Sequence, residues 1–326
     1  MSARSRRAIL IGGAALLAAP AIARAQAAWP NRPVRFVVPF PPGGAADILA
    51  RSLGQRLGER LGQSFAIDNR PGAGTAIGTA ATAQSAADGY TIMIGTVSSH
   101  AMNPSLNPKV GYDPVADFAP VAAFATLPFF LVAHPSVAAR DAGELVALAR
   151  RQPGRLNYAS AGNGTSNHLA GELLKLSTRT DMAHIPYRGS APALAAVVAG
   201  ECQIMFDLSI TALPQIQAGA VRALGVASKS RSSLLPDVPA IAEAVPGFEA
   251  SAWFGIFAPA RTPDAIVARL AGEIDSALED PAIRQRLAQQ GAEPMRLGPA
   301  PFAAFVRAEL ARWGGVIRDA KIEADG

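Results

Sequence analysis

The sequence predicts an α/β protein of two lobes in series, with a cleft between them. Three observations carry this reading. Short apolar strands alternate with helix-period segments from Val34 to Gly95. The same alternation recurs from Leu156 to Ala227. A further strand and three helical segments, each opened by a proline, follow from Ala252 to Ala320. Alternating β and α segments specify parallel sheets with helices on their faces. At 326 residues, two domains is also the ordinary division of a chain.

The elements follow in order. Val34–Val38 is short, β-branched and apolar, the pattern of a buried strand. Pro39-Phe40-Pro41-Pro42-Gly43-Gly44 fits neither helix nor strand. Ile48, Leu49, Leu53, Leu57 and Leu61 give a helical period over Ala45–Leu61. Strand Ser64–Asp68, turn Asn69–Gly74, helix Thr75–Ala87, strand Tyr90–Gly95 and a polar loop from Thr96 to Asn103 complete the first run. Val121–Val132 is a long extended segment crossing between lobes. Helix Asp141–Arg151, strand Leu156–Ser160, loop Ala161–Gly164, helix Thr165–Leu176, strand Met182–Pro186, helix Ala191–Ala199 and strands Gln203–Phe206 and Val221–Ala227 form the second. Strand Ala252–Phe257 precedes helices Pro263–Leu278, Pro281–Gln289 and Pro299–Ala320, with proline at the tolerated first position. If the last strand rejoins the first lobe, two crossings form a hinge. The lobes are then 28–126 with 250–326, and 127–249. Ligands of such sheets bind at the carboxyl ends of the strands.

The formal charge is +5. Arg4, Arg6 and Arg7 open the chain, a 16-residue apolar run Ala8–Ala23 follows, and Ala23-Arg24-Ala25-Gln26-Ala27 holds two A-x-A sites. This is the form of a cleaved export signal, residues 1–27, and is too short to span a bilayer. Ser5-Arg6-Arg7-Ala8-Ile9-Leu10 resembles a twin-arginine motif, and an arginine-rich Sec signal fits equally. Four arginines and no acid precede residue 28, so cleavage takes +5 to +1. Nothing in that balance argues for nucleic acid. The one cysteine, Cys202, excludes internal disulfides and CxxC sites, and lipid attachment at the cleavage site.

Two loops have the form strand, glycines, helix. In Phe40-Pro41-Pro42-Gly43-Gly44 the first N–H groups of the following helix lack intrahelical partners. The helix dipole favours an anion there, and glycine admits it close to the backbone. A plain tight turn, with Asp47 serving the helix start, satisfies the same residues. Ser160-Ala161-Gly162-Asn163-Gly164-Thr165-Ser166 repeats the form in the second lobe. Thr165 or Ser166 as an ordinary cap is the alternative. Two facing cradles would suit a ligand with a carboxylate at one or both ends. Asp207 ends an apolar strand at the ligand-facing edge; it reads equally as a ligand contact and as a cap for the next segment.

Other chemistry finds little support. Gly72-Ala73-Gly74-Thr75-Ala76-Ile77-Gly78 is one residue too wide for a dinucleotide fingerprint, and no GxxxxGK[ST] occurs. Tyr158-Ala159-Ser160-Ala161-Gly162 lacks the first glycine of a nucleophile elbow. His100, His134, His168 and His184 are scattered without HExxH, so neither metal nor cofactor is expected. His168 reads as a supporting side chain, and Cys202 as a packed one.

The loops belong to a wider set of matches. Pro33–Gly44, Asp47, Arg51, Asn69-Arg70-Pro71-Gly72-Ala73-Gly74, Asp88-Gly89-Tyr90-Thr91, Tyr158–Gly162, His184-Ile185-Pro186-Tyr187-Arg188-Gly189, Pro236-Asp237-Val238-Pro239 and Phe257-Ala258-Pro259 run along nearly all of the mature chain. In order and spacing they resemble the substrate-binding proteins of tripartite tricarboxylate transporters, the Bug or TctC family. The resemblance implies a type II-like periplasmic binding fold that closes on a small carboxylate and delivers it to membrane subunits, as a monomer and without catalysis. It implies ligand contacts at Phe40, Pro42, Gly43, Gly44 and Asp47, at Ser98 and Ser99, and at Ala161, Gly162, Asn163, Gly164, Thr165 and Ser166, with Tyr187 and Asp207 near the cleft. Thr75 departs from the pattern, since glycine is common there. Family ligands include amino-dicarboxylates, citrate-like acids and aromatic acids, and no charged residue of the matched loops selects among them. The competing expectations are an exported hydrolase using Ser160 or Ser166 with His168, and a periplasmic sensor input sharing the same site.

Overall fold

The computed structural model describes residues 29–319 and residue 322. The expected export segment lies outside the described residues.

The first run is β1 (Val34–Val38), α1 (Ala45–Leu61), β2 (Phe65–Asn69), α2 (Ala76–Ala83), β3 (Thr91–Thr96) and α3 (Asn103–Leu106). β4 (Phe118–Ala133) leads into α4 (Ala142–Arg151), β5 (Asn157–Ser160), α5 (Ser166–Thr178), β6 (Ala183–Pro186), α6 (Ser190–Val198), β7 (Ile204–Leu208), α7 (Ser209–Gln217), β8 (Arg222–Val226) and α8 (Ile241–Ala244). The chain then returns through β9 (Ser251–Pro259), α9 (Asp264–Glu279), α10 (Pro281–Gln289), β10 (Glu293–Leu297) and α11 (Pro299–Asp319).

The strands of the βαβ units are parallel: β2-β1-β3 in the first lobe and β6-β5-β7 in the second. Strands β4, β8, β9 and β10 pair antiparallel, so each sheet is mixed. β4 belongs to both sheets. Phe118–Pro128 pair with β9, and Phe129–Ala133 pair with β7 and β8. Pro120 sits beside a register shift and Pro128 where the partner changes; proline lacks the N–H a continuous ladder needs. A second crossing is tied to the first, since Ala227 N–H donates to Phe129 C=O and Ala250 N–H to Ala227 C=O, both at 2.8 Å.

α1 buries Leu49, Leu53 and Leu57 and ends at Gly62, whose φ of 71° forms a left-handed cap bonded to Gly58 C=O. α2 starts one residue late, since Gly72, Ala73, Gly74 and Thr75 all have positive φ, and it ends at Ala83, four residues before the expected Ala87. α11 is fastened by Glu309, which accepts the indole N–H of Trp253 on β9 at 3.1 Å and of Trp313 at 3.2 Å.

Candidate functional site

The β1–α1 loop is braced from behind. Gly43 turns with a φ of 84° and donates its N–H to Asp47 Oδ2 at 3.0 Å. Arg51 Nε donates to the same oxygen at 3.0 Å, and Asn69 Nδ2 to Asp47 Oδ1 at 2.9 Å and to Phe40 C=O at 3.1 Å. Burial pushes the Asp47 carboxyl up, but the bonds from Arg51, Gly43 and Asn69 outweigh it and hold it below its ordinary value. Asp47 is therefore an ionised strut. With Gly43 pinned to it, the part of the α1 start left to face the cleft is Gly44, Ala45 and Ala46, all buried.

Those residues line an inner cavity of about 30 Å³ between the lobes. The first turn of α5 reaches it through Ser166 and Asn167, and the first turn of α6 through Ser190 and Ala191. Three helix N-termini thus converge on one space. No charged side chain lines it; Phe40, Leu208, Ala252 and Phe254 are its apolar walls, with Thr96 and Ser98 between them. The lobes are joined beside it, where Ser166 N–H donates to Ser98 Oγ at 2.9 Å. Orphan N–H groups and aligned dipoles make such a place attractive to an anion, all the more in apolar surroundings.

An outer cavity of about 670 Å³ adjoins the inner one and shares Phe40, Pro41 and Ala161 with it. Gly162, Asn163, Thr165 and Tyr187 line this outer space. Tyr187 Oη lies 3.5 Å from Cys202 Sγ, and that contact, with some burial, pushes the phenol up to about 12.

The structure places the sequence-predicted residues unevenly. Phe40, Pro42, Gly44, Ser98, Ala161 and Ser166 line the inner cavity, and Gly162, Asn163, Thr165 and Tyr187 the outer. Gly43 and Asp47 stand behind the loop. Ser99 Oγ bonds to Thr96 N–H at 2.9 Å and to His100 Nδ1 at 2.9 Å, away from both cavities. Gly164 donates to His168 Nδ1 at 3.2 Å. Asp207 is fully buried under Leu208 with neither oxygen in a well-formed hydrogen bond, and burial pushes its carboxyl up to about 7. The α6 start was missed. Its signal was Gly189-Ser190 after β6, the same strand, glycine, helix form as the other two, with a hydroxyl as in the second.

The serine–histidine pairing of the hydrolase expectation is not formed at Ser160. Ser160 Oγ pairs with His184 Nε2 at 2.6 Å and not with His168, and fully buried Ser160 lines neither cavity. Ser166 lines the inner cavity with its N–H on Ser98. Among the described residues, no cluster of three His, Cys, Asp or Glu is placed to hold a metal ion.

A two-lobed α/β fold closing on a pocket lined by backbone and helix ends defines a periplasmic-type solute-binding protein. Comparison with known proteins specifies it further. The family model for the tripartite tricarboxylate transporter family receptor, TctC, matches residues 49–322, and the chain belongs to that family. It is 41% identical over 320 residues to a UPF0065 protein of Pseudomonas sp. strain P51, spanning 97% of this chain and 95% of that one. Protein BugT of Bordetella pertussis is 38% identical over 293 residues, spanning 89% and 90%. Among solved structures, R. palustris Rpa4515 with adipate superposes with a TM-score of 0.88 at 39% identity, over 90% of this chain and 99% of that one. MatC from Rhodopseudomonas palustris with bound malate gives 0.85 at 36%, over 88% and 99%.

Proposed function

We propose that this protein captures a small organic carboxylate in the periplasm and presents it to the membrane subunits of a tripartite-type transporter, acting as a monomer without catalysis. The observation that carries this is the convergence of the α1, α5 and α6 N-termini on a cavity with no charged side chain. Such a site meets a carboxylate with N–H dipoles and needs no counter-ion. The adipate and malate held by two relatives are acids of this kind. In this reading residues 1–27 are a cleaved export signal, 28–126 with 250–326 form one lobe, and 127–249 form the other. Gly44, Ala45 and Ala46 hold the carboxylate from one side, with Ser166 and Ser190 across the cleft. Mass spectrometry of small molecules released by denaturing the purified protein tests it. A stoichiometric carboxylic acid is expected. No acid released, together with no melting shift across a panel of mono-, di- and tricarboxylates, would overturn it.

A further inference from the structure

Asn163-Gly164 is the one Asn-Gly pair of the chain. A glycine after asparagine leaves its backbone nitrogen sterically open to the asparagine's own side-chain carbonyl carbon. Attack there closes a succinimide ring. The reaction needs an amide that nothing else holds and a base for the nitrogen's proton.

The fold supplies both. Asn163 is half-buried on the wall of the outer cavity, and its Oδ1 is buried without a hydrogen-bond partner. Gly164 N–H donates to His168 Nδ1 at 3.2 Å. An accepting Nδ1 carries no proton, so the imidazole presents its lone pair to the very proton that must leave. Loop and ring are both fixed in place. Thr165 Oγ1 donates to Gly162 C=O at 2.6 Å, and Gly162 N–H donates to Ser160 Oγ at 3.1 Å. His168 stacks on His184 with ring centroids 4.0 Å apart, and His184 stacks on Tyr158 at 4.9 Å. The charged groups beyond this stack are engaged elsewhere: Glu172 accepts from Tyr158 Oη at 2.6 Å and pairs with Lys175 at 2.7 Å.

We propose that Asn163 is a self-modification site, deamidated by the folded chain with His168 as base, and that the change retires the binding cleft. His168 Nδ1 takes the Gly164 proton as the Gly164 nitrogen bonds to Asn163 Cγ. The Cγ–Nδ2 bond then breaks, and His168 returns the proton to the leaving nitrogen, which departs as ammonia. Water adds to either succinimide carbonyl and opens the ring to aspartate or isoaspartate. One water is taken up, one ammonia is released and nothing is oxidised. The outer cavity, about 670 Å³, has room for that water. Among the described residues Arg188 is the one charged side chain lining this cavity, so a carboxylate at position 163 cancels its net positive charge. Isoaspartate also lengthens the backbone just ahead of α5, whose Ser166 bridges to Ser98. Both changes weaken the hold on an anion, a consequence that rests on the carboxylate reading above.

The test is a peptide-mass time course on the purified mature chain, freed of ligand, in neutral buffer. Asn163 is expected to convert to aspartate and isoaspartate while the other asparagines stay intact. It should convert faster than in the same chain held unfolded in urea, where the Asn-Gly pair persists without its base. His168→Asn puts an acceptor that cannot take the proton in the place of Nδ1 and should slow conversion about tenfold or more. Asn163→Gln, which must close a larger ring, should stay intact and keep its carboxylate affinity, while the wild type loses affinity in step with conversion. Equal rates in wild type and His168→Asn, or an intact Asn163 in folded wild type beside conversion in urea, would overturn the self-modification. Conversion without loss of affinity would overturn the retirement of the cleft. If fresh protein binds no carboxylate, the carboxylate reading fails instead, and the peptide masses still decide the modification.

Discussion

Gly43 and Gly44 stand side by side and do different work. Gly43 needs its positive φ to present its N–H to Asp47, so a side chain there strains the turn. Gly44 has φ −83° and ψ 169°, a conformation open to any residue. Its lack of a side chain serves the cavity: a Cβ there would lie 3.0 Å from Ser190 Oγ across the cleft. Gly44→Val should therefore fold with a ligand-free melting temperature near wild type, yet bind carboxylate about 100-fold more weakly or worse, a difference of ~2.7 kcal/mol. Unchanged affinity in a titration would refute the cradle. Asp207 supplies a separate residue-scale test. Its proton is held to about pH 7 in the fold, whereas an unfolded chain releases it near pH 4. The folded state binds the extra proton between those values, so the contribution of Asp207 to stability falls as pH rises through that window and is level on either side. Asp207→Asn should abolish that slope and raise stability at pH 8 by on the order of 4 kcal/mol at most. Urea unfolding at pH 4, 6 and 8 reads the difference, and parallel wild-type and variant curves would contradict it.

At the scale of elements, α11 is held by one carboxylate shared between two indoles. Glu309→Ala leaves the Trp253 and Trp313 N–H groups buried without an acceptor. A loss of about 2–4 kcal/mol follows from two such orphaned donors, visible in thermal unfolding and in tryptophan emission. A loss under about half a kcal/mol would mean that solvent reaches both indoles. Glu309 also shows where the sequence was opaque: one glutamate on an amphipathic helix carries no mark of which distant tryptophans it meets. The βαβ strands and α1 were legible because local patterning decides them. β10 was not, since Glu293–Leu297 is a short, mostly exposed edge strand containing a proline. Nor was α7, a short helix with Pro214 inside it. The site divides in the same way. The glycine loops announced themselves, because a helix start after a strand is a local event. The role of Asp47 behind Gly43, the α6 start opposite Gly44, and the apolar wall at Phe254 depend on how distant segments meet.

For the whole molecule, the inner cavity is walled by both lobes, and Ser98 of one bonds to Ser166 of the other beside it. A ligand cannot enter that space while these contacts hold, so the lobes must part and reclose. Among the described residues two segments cross between them, β4, where its partner changes at Phe129, and the stretch from Ala227 to Ala250, and the hydrogen bonds joining those crossings at Ala227 make them a natural pivot. Closure brings small residues together: Gly74 against Asn163 C=O, Gly164 against Asn103, Gly189 against Pro41. Gly74 meets a backbone carbonyl, Gly164 a polar side chain and Gly189 a proline ring, so each contact is small and adds little apolar area to hold the lobes shut alone. The ligand's own interactions must then supply much of the closing free energy. Small-angle scattering should show a smaller radius of gyration when a bound acid is added to wild type. The melting temperature should rise several degrees at one hundred times the dissociation constant, where binding adds ~2.7 kcal/mol. Gly44→Val, at most half saturated at the same acid concentration, should show at most about half the compaction and a stabilisation of only ~0.4 kcal/mol. Ser98→Ala, which deletes one bridge and one polar group of the inner cavity wall while keeping the α1 start, should still compact but with an affinity lowered about three- to tenfold. A wild-type protein equally compact with and without acid would place the closed form as the resting state and remove ligand-driven closure from the account.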